Sequence, residues 1–138
     1  MTIERIIEKF EQIEQNIHLI KENIPNNEDD FVKLGIIKDG IYKRYEFSVE
    51  LIIDIISMVN SHFHLGIPKN TLDIILNLER KKVISLQCVE IIKGMKAFRN
   101  VLVHIYEKLD DRLAFNNIIN HIDDFGHVKE EIISFLQK

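Results

Sequence analysis

The chain has 138 residues, 46% hydrophobic and 29% charged, with a single cysteine and a formal net charge of −4. That length and balance suit one domain with one buried core and exclude a disordered chain. The net charge excludes a protein that coats nucleic acid indiscriminately. Cys88 by itself cannot build a disulfide framework and fits a reducing cytoplasm.

The first run, MTIERIIEKFEQIEQ, carries a charge every few residues, so it is neither a secretory signal nor a membrane span. Ile3, Ile6, Phe10, Ile13, Ile17, Ile20 and Ile24 alternate spacings of three and four, which predicts a long helix with a narrow apolar seam. Pro25 ends it, and PNNEDD is a polar connection. DDFVKLGII predicts a short helix up to Gly35, and KDG a turn. A central helix is expected from about Tyr42 to His64. Tyr45, Val49, Ile52, Ile56, Val59 and Phe63 form one stripe along it, and Phe47, Leu51, Ile55 and Met58 another. A helix apolar on more than one side is buried on several faces, within a bundle or between two subunits. Asp54 lies between Ile53 and Ile55, and a carboxylate buried there needs a basic or hydrogen-bonding partner.

HLGIP breaks the chain again, and Asn70 or Thr71 can cap the next helix, LDIILNLERKK. Ser85 caps LQCVEIIKGMKAFRN. Asp110 and Asp111 precede a last helix carrying Ile118, Ile122, Phe125, Ile132 and Leu136. There is no strand signal, internal repeat or low-complexity segment. The expected fold is all-α, an up-and-down helical bundle of five to six helices spanning residues 1–138.

Charge is unevenly spread. Residues 1–30 hold Arg5, Lys9 and Lys21 against eight acids, whereas residues 80–100 hold Arg80, Lys81, Lys82, Lys93, Lys96 and Arg99 against Glu90 alone. The basic stretch leads into FRNVLVHIY, residues 98–106. On one regular helix Asn100 and His104 share a face, while Arg99 and His104, five apart, diverge by roughly 140°. A joint site for them needs a bent helix or a cleft fed from both sides, such as one on a two-fold axis. The residue types suit phosphate chemistry. A histidine such as His104 can exchange protons, and Arg99 can hold phosphate oxygens bidentately. Pattern alone leaves this open against an ordinary amphipathic helix with a wet side.

The spacing Arg-x-x-x-x-His-x-Tyr, as Arg99, His104 and Tyr106 with Phe98 and Asn100 beside the arginine, resembles the signature of the HepT-like toxins of the HEPN superfamily. YEFSVELIIDII is similar to that family's long central helix, GIPKNTLDIILNLERKKVIS to its middle, and GMKAFRNVLVHIYEKLDD to its motif block. The resemblance implies a HEPN-like bundle and a metal-independent RNase without cofactor, the toxin of a toxin–antitoxin pair. It implies RNA as substrate, a minimal nucleotidyltransferase antitoxin as partner, and a homodimer whose motifs face one cleft. Arg99 and His104 are then the expected catalytic pair, and Tyr106 the acceptor of AMP that silences the enzyme. Asn100 would orient His104 or bind phosphate. Asp54 would fix Arg99 from the central helix or serve an internal ion pair. Lys81, Lys82, Lys93 and Lys96 are secondary candidates for RNA backbone contacts. The rival is a non-catalytic helical subunit that binds nucleotide or substrate for a separate nucleotidyltransferase. His62 and His64 point to nearly opposite sides of a helix, and His121 and His127 lack an adjacent ligand set, so neither pair predicts a metal site. No phosphate-cradling glycine loop is present.

Overall fold

A computed structural model of the chain describes every residue except Ile105, and Tyr106 by its backbone alone. The described residues are helical with no strand. Helix α1 (Thr2–Asn23) buries Ile6, Phe10, Ile13 and Ile20, all from the predicted seam, and the chain turns extended at Ile24 just before Pro25. Helix α2 (Glu28–Val32) is shorter than the sequence suggests. Asn27 caps it by accepting the Asp30 N–H at 2.9 Å, and Gly35, at φ +63°, takes the left-handed backbone that separates it from the next helix.

Helix α3 (Ile36–His62) starts six residues before Tyr42, so Lys38, Asp39 and Gly40 are helical and the predicted KDG turn does not exist. The reason is tertiary. Lys38 Nζ donates to Asp111 at 2.7 Å, and the Tyr42 hydroxyl donates to the same carboxylate at 2.6 Å. These bonds tie the first turns of α3 to the distant α6 and offset the roughly 1 kcal/mol that a helical glycine costs. As expected from its two stripes, α3 is the central element, packed against α1, α4 and α5. It buries Tyr45, Val49, Leu51, Ile52, Ile55, Ile56 and Val59, while Phe47 stays 40% exposed.

Helix α4 (Thr71–Arg80) is capped by Asn70, which accepts the Asp73 N–H at 2.9 Å. Helix α5 (Leu86–His104) starts at Ser85, whose Oγ accepts the Cys88 N–H at 3.1 Å. A 3-10 turn (Tyr106–Lys108) follows, and the Asp110 side chain caps α6 (Asp111–His121). The single final helix expected from the sequence is two, α6 and α7 (Asp124–Leu136). The two pack in different places. Phe115 of α6 lies 5.2 Å from Phe31 of α2, ring to ring, whereas α7 covers α5 and α1. The chain must turn between them, and it does so at Ile122–Asp123.

Candidate functional site

Helix α5 runs unbroken to His104, so Arg99 and His104 share one regular helix. They are separated by roughly 140° of turn and about 7.5 Å of rise. The rotation of α5 is set by its buried face. Met95, Phe98 and Leu102 enter the core, and Phe98 packs edge-on against Tyr45 with ring centroids 5.3 Å apart. Arg99, the next residue, is thereby carried to the edge of the α3–α5 contact.

There its guanidinium is held from two directions. Nη2 donates to Glu50 Oε1 of α3 at 3.2 Å, and Nη1 donates to Asn100 Oδ1 at 3.1 Å. Nε is buried with no acceptor among the described residues. A guanidinium carries five N–H groups, so each terminal nitrogen keeps one for a phosphate oxygen. His104, by contrast, is exposed, and its ring has no side-chain partner among the described residues. Its nitrogens are free to take and give protons. The Tyr106 side chain lies outside the described residues; its backbone opens the 3-10 turn just past α5.

Of the two alternatives for Asp54, the structure shows the ion pair and not the contact with Arg99. Asp54 is exposed and forms an ion pair with Lys9 of α1 at 3.7 Å, so it neither sits buried nor reaches Arg99. It stands one turn beyond Glu50, about 6 Å farther along α3. The acid of α3 that meets Arg99 is Glu50, which the sequence could have offered as a candidate by its place four residues away on the same helical face. Asn100 is turned to Arg99 instead of to His104.

The four lysines separate into two pairs. Lys93 and Lys96 lie on α5 in line with Asn100, three to four residues apart, with Lys93 also 3.8 Å from Glu90. Lys81 and Lys82 precede the N-terminus of α5, which lies about 20 Å from Arg99 along the helix axis. On the α3 side, Lys43 pairs with Glu46 at 2.7 Å, and the hydrogen bond and charge of Glu46 raise its pKa. A cleft of about 420 Å³ lined by Asp39, Tyr42, Lys43, Glu46, Leu102 and Val103 opens beside the motif. A larger cavity, about 620 Å³, lies between α1 and α7, outside the motif. Among the described residues no group of three His, Cys, Asp or Glu side chains could hold a metal ion, and no helix is long and apolar enough to cross a membrane.

The chain is similar to known proteins over nearly its whole length. The mRNA nuclease HepT of Shewanella oneidensis is 26% identical over 124 residues, which cover 90% of this chain and 85% of that protein. A solved structure of the tri-AMPylated Shewanella oneidensis HEPN toxin in complex with MNT antitoxin superposes with a TM-score of 0.84 at 25% identity, covering 94% of this chain and 96% of that one. YutE of Bacillus subtilis, a cytosolic protein of unknown function, superposes with a TM-score of 0.80 at 19% identity over 97% and 90% of the two chains, a likeness of fold. The model of a family described as ribonuclease HepT-like matches residues 13–132, a span that includes all of α5 and its motif. With that match, the chain belongs to the HepT-like ribonuclease family.

Proposed function

We propose that this chain is the RNase toxin of a toxin–antitoxin pair, cutting RNA without a metal at a site built from Arg99 and His104. The carrying observation is the end of α5: an arginine anchored by Glu50 and Asn100 with N–H groups to spare, and an exposed imidazole without a side-chain partner among the described residues. In the reaction the 2′-oxygen attacks phosphorus and its proton passes to an imidazole. The bond to the 5′-oxygen breaks, that oxygen takes a proton from an imidazolium, and a 2′,3′-cyclic phosphate and a 5′-hydroxyl remain. His104 suits both proton transfers, and Arg99 neutralises the charge gathering on the phosphorane.

On one α5 the two side chains diverge, so the reading includes a homodimer in which two copies of the motif face one cleft. One His104 then serves as base and the other as acid. Lys93 and Lys96, in line with Asn100, extend the positive surface along which an RNA backbone can run. The partner in this reading is a minimal nucleotidyltransferase that transfers AMP to Tyr106. The Shewanella oneidensis toxin described as tri-AMPylated in complex with MNT antitoxin supports that assignment. A bulky anion beside Arg99 would exclude substrate phosphate by volume and by charge.

The test is RNA cleavage in EDTA by wild type, Arg99→Ala and His104→Ala. Wild type should cut and leave cyclic phosphate ends, and each variant should lose on the order of 100-fold or more in rate. Cleavage that persists in both variants, or that needs added Mg²⁺, defeats the assignment. For Tyr106 the measurement is intact mass after incubation with ATP and the nucleotidyltransferase. The expected gain is in units of AMP, and it should vanish in Tyr106→Phe.

A further inference from the structure

An arginine on a helix surface samples many rotamers, and it stabilises a phosphorane only if its plane is set before the charge develops. Something must hold Arg99 still, and the motif supplies only part of it. Asn100 is the neighbouring residue on the same helix and binds one terminal nitrogen. The second hold comes from a different element.

We infer that Glu50 is a positioning residue for RNA cleavage, its carboxylate fixing the Arg99 guanidinium so that the remaining N–H groups face the phosphate. The inference rests on the proposed role of Arg99. Glu50 Oε1 lies 3.2 Å from Nη2, on α3, the helix most deeply packed in the bundle, so the acceptor is itself rigidly placed. Arg99 Nε is buried without an acceptor among the described residues, so the side chain lies down toward α3 instead of swinging into water. The neighbouring acid, Glu46, is engaged with Lys43 at 2.7 Å, which leaves Glu50 as the carboxylate that answers Arg99.

A carboxylate beside a phosphate-binding arginine also repels phosphate. The Arg99 side chain is 28% exposed and that of Glu50 39%, so water screens that repulsion. The geometric hold does not depend on screening. Losing Glu50 should therefore reduce turnover while leaving substrate affinity unchanged or slightly improved.

The experiment measures kcat and KM for cleavage of a labelled mixed-sequence RNA in EDTA by the full chain, with melting temperatures in parallel. Glu50→Ala should lower kcat about 10- to 100-fold at near-constant KM. Glu50→Gln, whose amide oxygen still accepts the N–H, should recover most of that loss. In an Arg99→Ala background, Glu50→Ala should cost nothing more, because it acts through Arg99. Wild-type kcat in Glu50→Ala, equal loss in the Ala and Gln variants, or additive loss in the double variant overturns the proposal. A second measurement stands apart from activity: hydrogen exchange of the Arg99 Nε–H by ¹⁵N NMR. It should be slow in wild type and Glu50→Gln and fast in Glu50→Ala; unchanged exchange in Glu50→Ala overturns the proposal whether or not the protein cuts RNA. A wild-type chain that cuts no RNA defeats the RNase reading, and the exchange measurement still decides the hold on Arg99.

Discussion

Glu50 and Asp54 are both acids on the exposed edge of α3, four residues apart, yet one meets Arg99 of α5 and the other Lys9 of α1. The sequence shows that α3 carries acids beside the motif helix. It does not show which one lies level with Arg99, because that depends on how far α5 slides along α3. The relative placement of Arg99 and His104 was legible for the opposite reason: their spacing lies within one helix, and helical geometry alone sets it. Cys88 is a residue whose environment is also plain. It is fully buried on the first turn of α5, and burial, with a smaller push from the Glu131 carboxylate, raises its thiol to about 12. A thiolate is the reactive form, so native protein should react with iodoacetamide or a disulfide reagent far more slowly than denatured protein at pH 8. Modification at the denatured rate would contradict that placement. Gly66 makes a similar one-residue prediction. Its φ is +148°, and an added Cβ would stand 2.8 Å from Asn77 Nδ2. That amide donates to Asn60 Oδ1, and Asn60 in turn donates to the Gly66 carbonyl at 2.8 Å. Gly66→Ala should cost on the order of 2 kcal/mol, measured as a fall in the denaturation midpoint.

At the scale of elements, caps and stops were legible and changes of direction were not. Pro25, Asn70, Ser85 and Asp110 are local signals, each set by the chemistry of one side chain at a helix end. The early start of α3 and the break between α6 and α7 come from contacts between distant segments, Lys38 and Tyr42 with Asp111 and Phe31 with Phe115. One such contact secures the motif helix itself. Glu131 of α7 accepts the Ser85 backbone N–H at 2.7 Å and the Ser85 hydroxyl at 2.9 Å, and it also meets His127 Nε2. A serine, a histidine and an acid meet here, but the carboxylate stands between the other two, so no base is placed to activate the hydroxyl. The cluster is a lock that fastens the start of α5 to α7. Burial pushes the Glu131 pKa up, and the Ser85 donors together with His127 outweigh it, so the net shift is downward. A folded pKa below the unfolded one means the stabilisation is complete above the unfolded value, near 4.5, and is lost as pH falls through the folded value. Glu131→Gln should therefore lower stability by about 1 kcal/mol at pH 7. Thermal melts of the two proteins should converge as pH drops toward 3, and a gap that widens on acidification would refute the lock.

At the scale of the whole molecule, the proposed dimer makes a claim about surface that the well-packed core of one chain leaves uncovered. α3 is buried by its own chain on three sides, yet Phe47 on α3 and Val103 on α5 remain 40% and 39% exposed. Both stand on the two helices that carry Glu50 and Arg99, and each leaves apolar surface uncovered there. In the proposed dimer a second copy covering that surface would bury Phe47 and Val103 and bring a second His104 toward the first Arg99, one way to join the two side chains that diverge by roughly 140° along α5. The expected mass in solution is then twice the 16.3 kDa of one chain. Phe47→Glu, which places a charge on the shared surface, should shift the protein toward monomer and lower RNA cleavage together, at an unchanged monomer fold by circular dichroism. His104→Ala chains mixed in excess with wild type should depress activity below the proportion of wild-type chains, because most wild-type protomers would then share a cleft with a defective motif. A monomeric wild type with full activity, or activity that falls only in proportion to dilution, would show that one α5 suffices and that His104 serves both proton transfers alone.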